Sequence, residues 1–433
     1  MDILNLSAYN VLETEYGEHD IHIKVETKAP PFVCPHCGCV ANLYKHSKRD
    51  QLVMDLPIHG KRVGLIVKRQ RYKCRECNQT FWERLPVVDE KRYCTRRLVQ
   101  YIERKCLKHT FTSVAEEVGM DEKTIRNIFR DYINELEAEL RFETPRWLGI
   151  DEIHIIKKPR CVLSNVEEHT LLDLLQDRNK TTVVGYLSRL PNKSNVKYVA
   201  MDMWQPYRDA VKATLPNAVI VVDKFHVVRM ANQAMETIRK NLRSGLTPKQ
   251  RRGLMHDRFI LLKRKKELDG KGFLTLDLWT KNYPDLGVAY NLKESFFDIW
   301  DCETKDEAIQ MYRQWEASIP DSMRAAFEPL TRAMGNWSEE IFNYFDHRIT
   351  NAYTESLNSL IRVMNRLGRG YSFEALRAKI LFTEGLKKVR PPKFAKNIDE
   401  EKFGMAMIAP ISGGEVLGIN ISTLIEMLED GDL

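Results

Sequence analysis

Over roughly the first 85 residues apolar and polar side chains alternate. Stretches such as HDIHIKVETK and KRVGLIVKRQRYKC predict half-buried strands. From about residue 89 to 140 the period lengthens to that of amphipathic helices. Between 146 and 223 short apolar runs alternate with helical segments, the pattern of an α/β layer. From about 240 to 340 the pattern is helical, charged and rich in aromatics, with no convincing strand. A last helical stretch covers about 349 to 388. It stops at RPPK, residues 390–393, because proline supplies no amide donor and disfavours helix in the residue before it. Further on, STLIEMLEDG is a short amphipathic candidate with Ser422 as its N-cap.

With 433 residues and 43% hydrophobic content, the chain can bury several cores and is expected to form two to four domains. No apolar run approaches the ~20 residues that span a bilayer, and the N-terminal stretch lacks the basic-then-apolar pattern of a signal peptide. The expectation is a soluble, cytoplasmic protein that does not engage a membrane. The net charge of +7 is mild, but it is clustered. Eight Lys or Arg stand against two Glu between Lys61 and Arg84, and a second basic run covers residues 239–268. Such clusters suit a polyanion, nucleic acid above all, although either one alone also fits a solvated helix face.

Nine cysteines without a secretion signal point to reduced thiols and metal binding. Four are paired as C-x2-C, at Cys34/Cys37 and Cys74/Cys77. Two such turns can close a tetrahedral thiolate site around one structural Zn2+, which lets a small β-rich segment fold without a large core. His36 and Cys39 are spare. The strands between the pairs fit a zinc ribbon, and Lys68, Arg69 and Arg71 on one of them are candidate DNA contacts. Next, TFTSVAEEVGMDEKTIRNIFRDYI reads as helix-turn-helix. Ser113 and Glu116 have the spacing of a capping box, Gly119 makes the turn and Asp121 caps the second helix. Ile125, Ile128 and Phe129 would seat that helix, leaving Lys123, Thr124, Arg126 and Asn127 outward for phosphates and base edges.

Acids close three apolar runs: WLGID at Asp151, KYVAMD at Asp202 and AVIVVD at Asp223. A carboxylate embedded in strand sequence is costly to bury unless it is paired or hydrogen-bonded. Two of them on adjacent strands would make a site of hard oxygen ligands for a divalent cation. Asp223 has His226 three residues on, so it reads equally as a metal acid or as the polar end of a buried strand. Later, Asn351, Glu355, Asn358 and Arg362 recur at helical spacing on one face, with Leu357, Leu360, Ile361 and Met364 as the core stripe opposite. Trp204 could stack on an extruded base or pack in the core. His154 reads as a strand or loop residue. Arg366, Arg369 and Tyr371 are phosphate contacts or ordinary surface.

The string GIDE, MDMWQPY, LPNAVIVVDKFHVVRMAN, TNAYTESLN and RGYSF resembles the DDE transposases of bacterial insertion sequences, of the ISL3 type. The likeness covers residues 30 to 390, and the upstream zinc ribbon and helix-turn-helix follow that family's order. It implies a multidomain α+β protein: an N-terminal zinc ribbon, a helix-turn-helix, and an α/β RNase H-like catalytic core interrupted by an all-α insertion. The corresponding layout is 1–88 ribbon, 89–142 helix-turn-helix, 143–240 first part of the core, 241–342 insertion, 343–390 second part of the core and 391–433 tail.

Carried over residue by residue, the resemblance makes Asp151, Asp202 and Glu355 the ligands of two Mg2+ ions, for which Mn2+ can substitute. In an RNase H-like sheet the second acid sits on the fourth strand, which favours Asp202 over Asp223. Asp223 and His226 then match the family's D-x2-H element and, with Asn351 and Asn358, would support the site. Direct metal binding by Asp223 stays open. The implied partners are double-stranded DNA bearing terminal inverted repeats, target DNA and a second copy of the chain, as a homodimer or larger assembly. The rival expectations are a metal-dependent nuclease without strand transfer and a catalytically silent DNA-binding regulator.

Overall fold

The computed structural model describes residues 4–40, 42–139 and 144–385. The expected amphipathic segment at Ser422 lies outside them.

The N-terminal part is a seven-stranded sheet. Strands β1 (Tyr9–Tyr16) and β2 (Asp20–Thr27) lead to a long hairpin of β3 (Leu43–Ile58) and β4 (Lys61–Cys74), with β5 (Thr80–Trp82) paired to β4. Alternation buries Val63, Leu65 and Val67 of β4 against Ile21, Ile23 and Val25 of β2. Two short strands, β6 (Val88–Asp89) and β7 (Cys94–Thr95), still belong to this sheet, so the helical region begins at Arg96 and not near 89.

Helices α1 (Arg96–Lys108), α2 (Phe111–Val118) and α3 (Glu122–Glu139) follow. The expected capping box is displaced by one turn. Thr110 is the N-cap of α2, its hydroxyl accepting from Ser113 N at 3.1 Å, because the helix starts early enough to bury Phe111. Gly119 ends α2 at φ +71°, a conformation open to glycine at no cost, and Asp121 caps α3 by accepting from Thr124 N at 3.0 Å.

The central sheet has the order β10-β9-β8-β11-β12. Strands β8 (Trp147–Ile155), β9 (Lys158–Asn165) and β10 (Thr170–Leu175) form an antiparallel meander. Helix α4 (Lys180–Leu187) crosses to β11 (Tyr198–Met201), and α5 (Gln205–Thr214) crosses to β12 (Val219–Val222). Both β11 and β12 run parallel to β8. This is the strand order expected of an RNase H-like core.

Helix α6 (Lys224–Asn241) then leads into an insertion that is helical throughout its described residues: α7 (Pro248–His256), α8 (Arg258–Leu262), α9 (Gly270–Asn282), α10 (Pro284–Ile299), α11 (Lys305–Ala317), α12 (Arg324–Asn336) and α13 (Ser338–His347). The chain returns to the sheet as α14 (Ala352–Gly368) and α15 (Phe373–Glu384).

Each face of the central sheet has its own core. Leu148, Ile150, Val199 and Met201 point toward α5, α6 and the insertion. Ile153, Ile155, Val162 and Leu174 face the other way and share one core with α1–α3, α14 and α15. The helix-turn-helix is therefore seated on one face of the central sheet. Lys379 of α15 reinforces the joint: fully buried, it donates to the carbonyl oxygens of Cys106 and His109 among the rings of Phe111, Phe129 and Tyr371. Tyr371 is thus an interior residue and not a surface contact.

Candidate functional site

The three run-ending aspartates become neighbours through strand register. Met201 of β11 pairs with Ile150 of β8 on one side and with Val222 of β12 on the other. One residue further along stand Asp151, midway along β8, and Asp202 and Asp223, just past the ends of the shorter β11 and β12, so the three lie level with one another across the sheet. Crevices at the carboxyl ends of parallel strands are where α/β sheets commonly place their ligands. Glu355 joins them from the first turn of α14.

His226 sits between the acids, on the first turn of α6. Its Nε2 is 2.9 Å from Asp202 Oδ1 and 3.7 Å from Glu355 Oε1. Ligand atoms of Asp151, Asp202 and His226 lie within 4.8 Å of one another, and so do those of Asp223, His226 and Glu355. The structure thus makes two overlapping groups that share the imidazole. It places Asp223 in the same group as Glu355.

Helix α14 is seated by buried polar contacts. Asn351, Thr354 and Asn358 are all buried, whereas Leu360, expected in the core stripe, is 39% exposed. The reason is Gly149: without a side chain on β8, the helix approaches closely enough for polar groups to meet. A Cβ there would collide with Ser164 Oγ and lie 2.8 Å from both Asn351 Oδ1 and Thr354 Oγ1. Thr354 Oγ1 donates to Asn351 Oδ1 at 2.5 Å and is 2.6 Å from Ser164 Oγ. Asn358 Nδ2 donates to Asp151 Oδ2 at 2.6 Å, while Asp151 Oδ1 accepts from Glu152 N at 2.7 Å. Asp223 is the N-cap of α6, accepting from Phe225 N at 3.1 Å, which orients the turn that carries His226.

Crowding of carboxylates shapes the electrostatics. Burial and the neighbouring Asp202 charge push the Asp151 carboxyl up to about 7. Burial likewise raises Asp223, and burial with the Asp223 charge raises Glu355. For His226 burial opposes the charged ring, but the hydrogen bond to Asp202 and the surrounding acids prevail and raise it. Such a centre gains stability from any added cation.

Beside the acids, Glu152, Met203, Trp204, Tyr207 and Arg229 line an open cleft of about 410 Å³. Trp204 is 38% exposed, with the Arg178 guanidinium 4.4 Å over its ring, so it is a surface platform and not a core residue. Phe225, which the sequence reading passed over, is half exposed next to His226.

The paired cysteines also converge. Cys34 Sγ is 3.7 Å from Cys77 Sγ, and Cys37 Sγ is 3.7 Å from Cys74 Sγ. Cys39, left spare by the sequence, lies 3.1 Å from Cys74, and the mutually close group is Cys34, Cys37, Cys39 and Cys74.

The candidate DNA contacts divide. Lys68, Lys123 and Arg126 are exposed, and Arg126 pairs with Glu122 and stacks over Phe111. Thr124 spends its hydroxyl on Asp121 at 2.5 Å. Arg71 is half-buried, donating to Thr80 Oγ1 at 2.7 Å. Arg69 must be corrected: it is 6% exposed, with its guanidinium bonded to Glu83 O and paired with Glu90, so it holds the ribbon together and offers nothing to a ligand. Its alternation on β4 turns it inward beside Val67, a placement that charge counting could not reveal. Asn127 lines a cleft of about 540 Å³ between α3 and the ribbon, together with Lys91, Tyr93 and Arg130, which the sequence reading missed. On β3 the exposed Lys45, His46, Lys48 and Arg49 add a basic arm.

No helix among the described residues is long and apolar enough to cross a membrane. Comparison with known proteins agrees with the fold and with the order of its parts. A family model described as transposase matches residues 148–380. One for the zinc-finger of transposases IS204/IS1001/IS1096/IS1165 matches 30–77, and one for the helix-turn-helix domain of transposase family ISL3 matches 83–133. The transposase for insertion sequence element IS1001 of Bordetella parapertussis is 25% identical over 84% of this chain and 92% of its own length. The transposase for IS1557 of Mycobacterium tuberculosis is 25% identical over 63% of this chain and 68% of its own. With its zinc ribbon, helix-turn-helix and mixed α/β core in the matching order, the chain belongs to the ISL3 family of insertion-sequence transposases.

Proposed function

We propose that this transposase cuts DNA at the terminal inverted repeats of an insertion sequence and joins the freed 3′ ends to target DNA, with Asp151, Asp202 and Glu355 as its metal-binding triad. The observation that carries the reading is the convergence of acids from β8, β11 and α14 at one open end of the sheet, around His226. The donor set fits a hard divalent cation: carboxylate oxygens predominate, and burial together with the neighbouring Asp202 charge raises the Asp151 carboxyl. Mg2+, with Mn2+ able to substitute, would neutralise charge at the reacting phosphate and acidify a bound water or hydroxyl.

The chain's own residues hold this arrangement in place. Asn358 fixes one oxygen of Asp151 and the Glu152 amide fixes the other. Asn351 and Thr354 seat the helix that delivers Glu355, and Asp223 orients the turn of His226. Trp204, stacked with Arg178, offers an aromatic face to an unpaired base beside the cleft. The ribbon and helix-turn-helix would bind duplex DNA through Lys68, Arg71, Lys123, Thr124, Arg126 and Asn127, charge positioning the duplex and base edges specifying it. Joining two ends calls for two copies of the chain or more.

The test uses the full chain, a duplex ending in the element's own terminal repeat, and a supercoiled target. With Mg2+, wild type gives cut and joined products. Asp151→Asn, Asp202→Asn and Glu355→Gln bind the duplex but give neither. Cut ends that never join would make the chain a nuclease, and repeat binding without any cutting would make it a DNA-binding regulator.

A further inference from the structure

The two zinc knuckles repeat one backbone design. In the first, Cys34 N donates to Cys39 O at 2.9 Å, and Gly38 reverses the chain at φ +73°. In the second, Cys74 N donates to Gln79 O at 2.9 Å, and Asn78 turns at φ +60°. Cys34 thus matches Cys74, Cys37 matches Cys77, and Cys39 matches Gln79. The first knuckle carries a thiol where the second carries an amide.

A tetrahedral ion with Zn–S near 2.3 Å separates its sulfurs by about 3.8 Å. The Cys34–Cys77 and Cys37–Cys74 pairs, each at 3.7 Å, already stand at that spacing. Cys39 crowds in at 3.1 Å from Cys74 and lies within 4.8 Å of Cys34, Cys37 and Cys74 alike. It is held there by backbone: the 34–39 hydrogen bond and the antiparallel bridge between Val33 and Val40 close the loop around it. Five thiols are therefore gathered for four coordination positions.

We propose that Cys39 is a fifth ligand that exchanges with Cys77, so that zinc is held by Cys34, Cys37 and Cys74 with either thiolate as the fourth. In the exchange Cys39 gives up its proton as it binds, and Cys77 takes one up as it leaves, so the ion stays four-coordinate and the charge is unchanged. Cys77 is the member replaced because the other three lie in the mutually close group with Cys39. The consequence is a ribbon that keeps its ion when Cys77 is lost.

The inference rests on the zinc-ribbon reading, and the test separates the two. The full chain is prepared as wild type, Cys77→Ser, Cys39→Gln (which copies the second knuckle) and the double variant. Bound zinc is measured by elemental analysis and chelator competition, and the sulfurs are counted from the thiolate charge-transfer absorption of the Cd2+ form. Each single variant should hold one zinc per chain with a four-sulfur spectrum. The double should show three sulfurs and bind more than ~10-fold more weakly, the lower end of what losing even an outer-shell partner costs a metal site. If Cys77→Ser is as weak as the double, Cys39 supplies no ligand and the proposal fails. It fails equally if Cys39→Gln alone loses zinc, since Cys39 would then be obligatory. Wild type without zinc overturns the zinc reading itself.

Discussion

Replacing Gly149 by alanine tests how the Glu355 helix is held. The new methyl would overlap Ser164 Oγ and stand 2.8 Å from Asn351 Oδ1 and Thr354 Oγ1. Ordinary contact begins near 3.4 Å, so α14 must retreat by about 0.6 Å or break the Asn351–Thr354–Ser164 cluster. Overpacking of this kind costs roughly 1–3 kcal/mol. A misplacement of about 1 Å can cost ~100-fold in rate, so a shift of just over half that distance should slow catalysis by about 10-fold or more. The assay is single-turnover cleavage of end DNA with Mg2+, run beside thermal unfolding. Gly149→Ala should cleave at least ~10-fold more slowly while still binding DNA, because none of the candidate DNA-contact side chains is among the atoms the new methyl meets. Adding Ser164→Ala removes the nearest obstacle and should recover part of the rate. A Gly149→Ala protein with wild-type rate and unfolding midpoint would refute the argument that close approach of α14 positions Glu355.

Three further outcomes are expected. In chelator, the Asp151 carboxyl at about 7 lies above its ordinary value of 3.8, so the folded chain keeps a proton that the unfolded chain has already released. That contribution to stability is complete below about pH 4 and is lost as pH rises through 7; the unfolding midpoint should fall from pH 5 to 8, recover with Mn2+ at pH 8, and vary less in Asp151→Asn. Lys68→Ala and Lys123→Ala should each lower the salt slope of duplex binding by about one, whereas Arg69→Ala should lower ribbon stability and leave the slope unchanged. Trp204→Ala should weaken binding to pre-cleaved ends by roughly 1–3 kcal/mol and spare intact duplex; equal effects on both would remove it as a base platform.

Local chemistry made much of this protein legible in its sequence. A C-x2-C turn places two thiols together whatever surrounds it. Period-two and period-3.6 patterns identify strands and helices because burial of one face is a local requirement. An apolar run that ends in aspartate is conspicuous because burying a charge is costly. Those features, with the motif resemblance, were enough for the order of zinc ribbon, helix-turn-helix and α/β core and for the all-helical insertion.

Contacts distant in sequence decided the rest. Parallel register brought Asp151, Asp202 and Asp223 level, and the fold put His226 between Asp202 and Glu355. Alternation says which residues share a strand face but not which face is buried, so charge alone places Arg69 outward while the fold turns it inward. Helical spacing likewise grouped Asn351 and Asn358 on a polar face without showing that the missing side chain of Gly149 would let that face be buried. The fifth thiol emerged only when the backbone closed around Cys39. Sequence determines what each segment can bury or bind; only tertiary packing, by choosing partners across hundreds of residues, determines which of those groups meet.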